Sequence, residues 1–369
     1  MAEVGMEEKP RVLILGGTGF IGRNLAEYLV SNELAAKVRV VDKVPPATAW
    51  LGGRQKEIFQ RIEFKSANLI NPASVQRAFD DEVTFDLVVN CASEGRLGQM
   101  EPVYNEGIVK LSVNCAKEAA QRGARRYIEL STAHIYAPDK VASTEGCKIS
   151  PWTDIAQHKL RAEQEISNIK GLNYVVLRPA IVYGPGDRTG LTPRILVGAV
   201  YKELKETMRL LWSPELRTNT VHVTDVCRAI WHLRNTGNSG QVFNLADKGN
   251  TTQGQTTEFV SQIFGVQYEF LGSVISSVAK ISLPEICEEL NEKHMEPWST
   301  ICQRSGIVNT PLSPFLFEEQ LYNKHLCVDG SAIEATGFTY QHPHLTVDSL
   351  REVVEGFAAQ DLFPRSLLS

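Results

Sequence analysis

The stretch Arg11-Val12-Leu13-Ile14-Leu15-Gly16-Gly17-Thr18-Gly19-Phe20-Ile21-Gly22 decides the fold. Five apolar-rich residues with β-branched members read as a strand, and residues 23–30 continue with helical spacing. The glycines between them recur as Gly16-x-x-Gly19-x-x-Gly22. Gly16 permits a sharp turn, and Gly19 lets the backbone approach a pyrophosphate. Gly22 lets the helix pack closely on the sheet, and the helix N-terminus faces the phosphate charge. A glycine triplet alone is a weak signal. Here Asp42 closes the next apolar run, VRVVD, about 20 residues after Gly22, where a carboxylate can hold the adenosine ribose diol. A 2′-phosphate at that place would meet a like charge, which the adjacent Lys43 offsets only in part. The expected cofactor is therefore NAD, with NADP disfavoured.

The rhythm continues outward from this turn. Residues 62–67, 86–91 (DLVVNC), 126–131 (RYIELS) and 174–178 (YVVLR) read as further strands. Residues 103–122 and 152–170 have helical periodicity. Strands alternating with helices of this length predict a Rossmann-type, doubly wound parallel α/β sheet. After Tyr183 come a loop (GPGDRTG), a helix, a short strand at 220–223, a helix at 225–234 and a last strand at 241–245. Residues 249–337 are rich in Pro, Ser and Thr and too long for a simple loop. They predict a smaller C-terminal substrate lobe. The expected division is a dinucleotide-binding domain from 11–183 with 220–248, and a lobe from 184–219 with 249–357. Residues 1–10 are expected to be a disordered leader.

Composition narrows the function. The 369 residues carry a net charge of −5, with 22% charged and 43% hydrophobic residues. The absence of a basic excess argues against nucleic acid as the main partner. Seven cysteines, an odd number with no CxxC pair, fit single thiols in a reduced compartment better than disulfides or zinc. No apolar run is long enough to span a bilayer, so a membrane partner is not expected and a cytoplasmic location is the default.

With these motifs in place, the chain resembles the extended short-chain dehydrogenase/reductases of the NAD-dependent epimerase/dehydratase group. The first turn carries the whole GxxGFIG pattern. Residues 131–136 (STAHIY) resemble that family's SSxxVYG, with Ala137 in place of its glycine. Residues 177–187 (LRPAIVYGPGD) match its sixth-strand motif throughout, and residues 221–226 (VHVTDV) match a later one. Asn68-Leu69 stand where the family has Asp-Leu near the adenine. The resemblance implies cofactor contacts from Gly16, Gly19, Phe20, Ile21, Gly22, Asp42, Asn68, Leu69, Ala92, Lys159 and Pro179. It also suggests a homodimer and a small-molecule substrate with a hydroxyl or carbonyl group, either a sugar nucleotide or a sterol-like alcohol.

The resemblance implies a Ser/Thr, Tyr and Lys for proton transfer. Thr132 matches the first, and Lys159 and Glu163 match the KxxxE helix. The Tyr should stand one helical turn before Lys159, and that position is Ile155. No tyrosine lies between Tyr136 and Tyr174, so a shifted alignment does not restore YxxxK. An isoleucine cannot transfer a proton. Either another group substitutes, with His158 the first candidate and His134 or Lys159 behind it, or the protein is a non-catalytic NAD-binding sensor or assembly subunit. The family's sugar-nucleotide members often carry a diphosphate-gripping Arg at the place of Thr218. Here Arg217 is one step away, on the opposite face of the strand. Arg188, Arg194 and Lys202 are the alternative cations.

Overall fold

The structure is a computed structural model that describes residues 8–80, 82–272 and 282–368. The expected disordered leader falls largely on residues 1–7, which lie outside the described residues. Strands β1 (Arg11–Leu15), β2 (Lys37–Asp42), β3 (Glu63–Ser66), β4 (Leu87–Asn90), β5 (Arg126–Leu130) and β6 (Tyr174–Pro179) follow one another along the chain. They are followed by β7 (Ile181–Tyr183), β8 (Met208–Leu210), β9 (Thr220–His222), β10 (Gln241–Leu245) and β11 (Tyr268–Phe270). The main sheet has seven strands in the order β3-β2-β1-β4-β5-β6-β10, all parallel. This is the Rossmann-type α/β sheet that the alternation predicts. Its strand order reverses at β1, and the crevice at the C-terminal ends beside β1 is where such sheets take ligands.

Alternating strand residues face opposite sides of the sheet. Val12, Ile14, Val40, Val89 and Leu177 pack on the helices Phe20–Ser31 and Val223–Leu233. Leu13, Leu15, Val41 and Val88 pack on the helices Pro72–Phe79 and Leu111–Gln121. Both faces are covered, which explains why these strands read as continuous apolar runs. The helix expected over residues 103–122 is built of a short helical turn (Glu101–Tyr104), a π-helical segment (Asn105–Lys110) and the helix Leu111–Gln121.

Beyond the sheet, the helices Thr192–Leu204, Gln253–Phe264, Leu283–Arg304 and Val347–Ala358 share a second apolar core around Ile195, Val260, Ile301 and Val354. Two small parallel pairs, β7 with β9 and β8 with β11, accompany them. Leu283–Arg304 spans 22 residues within the stretch that reads as rich in Pro, Ser and Thr. Its buried positions Leu283, Cys287, Asn291, His294, Trp298 and Ile301 recur every three or four residues, but Asn, His and the internal Pro297 disguise the stripe. Asn291 is buried because both ends of its amide are used: it donates to Leu316 O at 2.8 Å and accepts from Leu316 N–H at 2.7 Å.

Candidate active site

The glycine turn follows β1 directly. Gly16 has φ +73°, and a Cβ there would lie 2.5 Å from the backbone of Ala92. At Gly22 a Cβ would lie 2.4 Å from Gly16 O, so helix and turn touch backbone to backbone. The helix Phe20–Ser31 begins with no side-chain cap and no acidic residue in its first turn. Its first N–H groups therefore point outward with no partner in the helix. At the end of β2, Asp42 Oδ2 accepts from Thr18 N–H at 3.1 Å and Oδ1 from Val44 N–H at 3.0 Å. These two bonds hold the carboxylate at the rim of the turn. Arg23 lies under the same turn and donates to Gly19 O and Trp50 O. Burial, with Arg188 adding repulsion, brings its pKa down to about 10. Asn68 is exposed and closes a turn through Ile70 N–H, while Leu69 is buried in the sheet core.

A cavity of about 490 Å³ opens at the C-terminal ends of β5 and β6 and extends between the sheet and the second apolar core. Phe20, Ile21, Thr132, Ile155 and Pro179 all stand on its wall. Ile155 faces this cavity, its other side resting on Tyr104, Ile108 and Ala162. Thr132 caps the turn Ala133–Ile135, and its Oγ1 lies 2.9 Å from His134 Nδ1. The His134 ring also lines the cavity and lies 4.9 Å from the Trp152 ring. Burial, helped by the Arg194 charge, pulls the His134 imidazole down to about 4, so it is neutral at neutral pH.

Lys159 sits one turn beyond Ile155 but is turned into the sheet. Its Nζ donates to Leu130 O at 2.6 Å and lies 3.9 Å from the buried Glu129 carboxylate. Burial lowers the Lys159 pKa and raises that of Glu129. His158 is directed elsewhere. Its Nδ1 bonds Asp154 O at 2.8 Å, and its ring faces Tyr104 and Glu101, away from the cavity wall. The remaining motif residues hold the frame. Glu163 binds Arg178 and Ser131, Arg178 donates to Tyr136 Oη, and Tyr136 donates to Asn244. This network joins β5, β6, β10 and the helix Asp154–Ser167 behind Thr132. Asp187 of GPGD is fully buried and accepts backbone bonds from residues 189 to 192, which starts the next helix.

The motif reading misses titratable groups on this wall. Glu319, from the turn Glu318–Leu321, lines the cavity. Its Oε1 accepts from Asp154 N–H at 2.9 Å, and its Oε2 is buried without a hydrogen-bond partner. Burial raises its pKa. Nothing in its sequence surroundings announced it, because a carboxylate supplied from a distant turn has no local spacing. Among the cations, Arg194 lines the cavity, Arg217 is turned away to Asn250 O, and Lys202 donates to Leu367 O. Thr218, next to Arg217, does face the cavity, and its hydroxyl has no partner. The described residues contain no His/Cys/Asp/Glu cluster able to hold a metal ion.

Residues 12–246 match the model of the NAD-dependent epimerase/dehydratase family. The chain belongs to that family. Among curated relatives it is 24% identical over 247 residues to a 4-hydroxy-2-methyl-3-oxo-4-farnesyl-3,4-dihydroquinoline-1-oxide ketoreductase of Stigmatella aurantiaca, covering 64% of this chain and 68% of that protein. It is also 24% identical over 199 residues to the UDP-glucose 4-epimerase of Vibrio cholerae, covering 47% and 52%. The fold matches UDP-glucose 4-epimerase of Thermus thermophilus, solved with NAD, at TM-score 0.66 and 18% identity, over 94% of this chain and 99% of that one. It matches dTDP-glucose 4,6-dehydratase of Bacillus anthracis, solved with NAD, at TM-score 0.69 and 16% identity, over 97% and 99%.

Proposed function

We propose that this protein is an NAD-dependent oxidoreductase or epimerase/dehydratase acting on a hydroxyl or carbonyl substrate, with the proton-transfer group displaced from position 155. The observation that carries this reading is the shared wall: Phe20 and Ile21 of the glycine turn's helix meet Thr132, Ile155 and Pro179 around one cavity. The residues fit NAD. The uncapped helix start suits a pyrophosphate, and the fixed Asp42 carboxylate suits a ribose diol and disfavours a 2′-phosphate. Gly16, Gly19, Gly22, Ala92, Asn68 and Leu69 complete the proposed cradle, in the expected division of a dinucleotide-binding domain (11–183 with 220–248) and a substrate lobe (184–219 with 249–357). When bound, the nicotinamide supplies a two-electron hydride acceptor or donor. The protein's own part is to orient the substrate oxygen at Thr132, exclude water from the cavity, and move a proton at that oxygen.

Three groups are proposed around that proton. Thr132 hydrogen-bonds the substrate oxygen. Glu319 Oε2 and His134 are the wall groups proposed to carry the proton, whereas His158 faces away and Lys159 acts as a positioning residue through Leu130 O. The second reading, a non-catalytic NAD-binding subunit in the cytoplasm, is favoured by Ile155. An absorbance assay for NADH formation and consumption over a panel of alcohols, ketones and sugar nucleotides separates the two. Turnover supports the first reading; NAD binding without turnover supports the second.

A further inference from the structure

The cavity walls point past the reacting oxygen to the rest of the substrate. We infer that the cavity takes an elongated apolar alcohol or ketone carrying a second hydrogen-bonding oxygen at its far end, held by His294. This rests on the reading of the cavity as the substrate site.

The far walls are aliphatic and aromatic, with Leu211, Trp212, Leu216, Leu290, Leu316 and Leu321 facing one space. A volume of about 490 Å³ is within the range of small-molecule sites. A nucleotide diphosphate would need several cations, since buried charge is costly unless paired. Among the described residues, three cations reach the wall: Arg194, Arg209 and Lys324. Arg209 is already paired with Glu269 at 2.7 Å in an exposed position, and Lys324 is exposed. Arg194 alone of the three stands deep in the wall, on the Thr132 and His134 side. At the place where an arginine would grip a diphosphate stands Thr218, and Arg217 points to Asn250 O. The wall therefore suits a hydrocarbon body much better than a diphosphate.

His294 supplies the far polar contact. It is 1% exposed, lines the cavity and packs edge-on against Tyr201 at 5.6 Å. Neither ring nitrogen has a hydrogen-bond partner. Burial, with Lys293 adding repulsion, lowers its pKa to about 4, so at neutral pH it offers one donor and one acceptor. A buried imidazole with both nitrogens unsatisfied is unfavourable in a protein alone. A hydroxyl or carbonyl at the distal end of a ligand removes that penalty. The oxygens of the substrate thus lie at its two ends, one at Thr132 and one at His294.

The test is calorimetric binding to the full-length protein, with and without NAD, read in parallel by the fluorescence of Trp152 and Trp212. The probes are a steroid diol with a hydroxyl at each end, the matching mono-alcohol lacking the distal hydroxyl, and UDP-glucose. The expected result is saturable binding of the diol, about 10-fold weaker binding of the mono-alcohol, and no binding of UDP-glucose. His294→Leu should erase the difference between the two steroids. The comparison of steroids on the unmodified protein keeps the test decisive if that variant misfolds. Equal affinity for diol and mono-alcohol would overturn the role of His294. Binding of UDP-glucose, or of neither steroid, would overturn the substrate class. NAD titration alone reports on the cofactor reading: steroid binding without NAD binding would refute that reading and leave this one standing.

Discussion

Glu319 Oε1 accepts a hydrogen bond from Asp154 N–H at 2.9 Å, one residue before Ile155 on the cavity wall. A side chain far along the sequence thereby brings a carboxyl to the wall that Ile155 and Thr132 share. Its other oxygen has no partner, and burial raises its pKa. A raised pKa makes this carboxylate a better proton acceptor and keeps it protonated to a higher pH than an exposed glutamate.

Glu319→Gln should therefore depress NAD-linked turnover by about 10²- to 10⁴-fold while leaving NAD affinity unchanged. Because burial raises this pKa, the profile of kcat/KM against pH should carry a limb above the ordinary glutamate range, and Glu319→Gln should flatten it. Unchanged turnover in a folded variant would remove Glu319 from the chemistry.

Ile155→Tyr should restore part of what Glu319→Gln loses. Ile155 is only partly buried and faces the cavity, so a phenol can extend into open space beside Thr132. The double variant is expected to exceed Glu319→Gln alone by at least about 10-fold in steady-state turnover. No gain would mean that position 155 does not reach the reacting oxygen.

The sheet was legible because its strands are buried on both faces and its glycines have fixed duties. Gly16, Gly22 and Asp42 stand where the spacing puts them. The candidate site was legible only in part. Thr132 and Ile155 reach one wall through their spacing from the motifs. His158 does not, because this helix residue, three positions from Ile155, is turned toward Tyr104 and Glu101 instead. Lys159 matches the motif, but its Nζ is claimed by Leu130 O inside the sheet. Glu319 and His294 come from elements with no motif of their own. His294 even hides its helix, since a histidine on a buried stripe reads as polar until the cavity beside it is seen.

Asp42→Ala should weaken NAD binding by about 1.5 to 3 kcal/mol, as expected for a lost charge-assisted hydrogen bond. It should also narrow the preference against NADP, since the repelling carboxylate is gone while Lys43 stays. Calorimetric titration with both dinucleotides checks this. Wild-type protein that binds NADP as tightly as NAD would refute the role given to Asp42.

Asp247 gives a pH signature of stability. It accepts from Thr220 Oγ1 and Gly249 N–H, and burial raises its pKa to about 6. The folded state thus holds this proton more tightly than the unfolded chain, whose aspartate titrates near about 3.9. That contribution is present below about pH 4 and is lost as pH rises through about 6. Relative to Asp247→Asn, the wild-type protein should lose stability of order ~2 to 3 kcal/mol across this window. Urea denaturation of both proteins at several pH values measures it. Parallel stability curves would show that Asp247 titrates normally.

The most direct test of the account is NAD titration of wild-type protein and Gly19→Val by calorimetry, with thermal melts alongside. Gly19 is the informative glycine. A Cβ there approaches only Gly16 O, at 3.1 Å, and the backbone is extended, so the fold can absorb it. Changes at Gly16 or Gly22 would press on backbone and confuse folding with binding. The expected result is saturable NAD binding by the wild-type protein and none by a Gly19→Val variant that still melts cooperatively, because the added side chain fills the space where a pyrophosphate meets the helix start. A folded Gly19→Val that binds NAD like the wild-type protein, or a wild-type protein that does not bind NAD, would contradict the account.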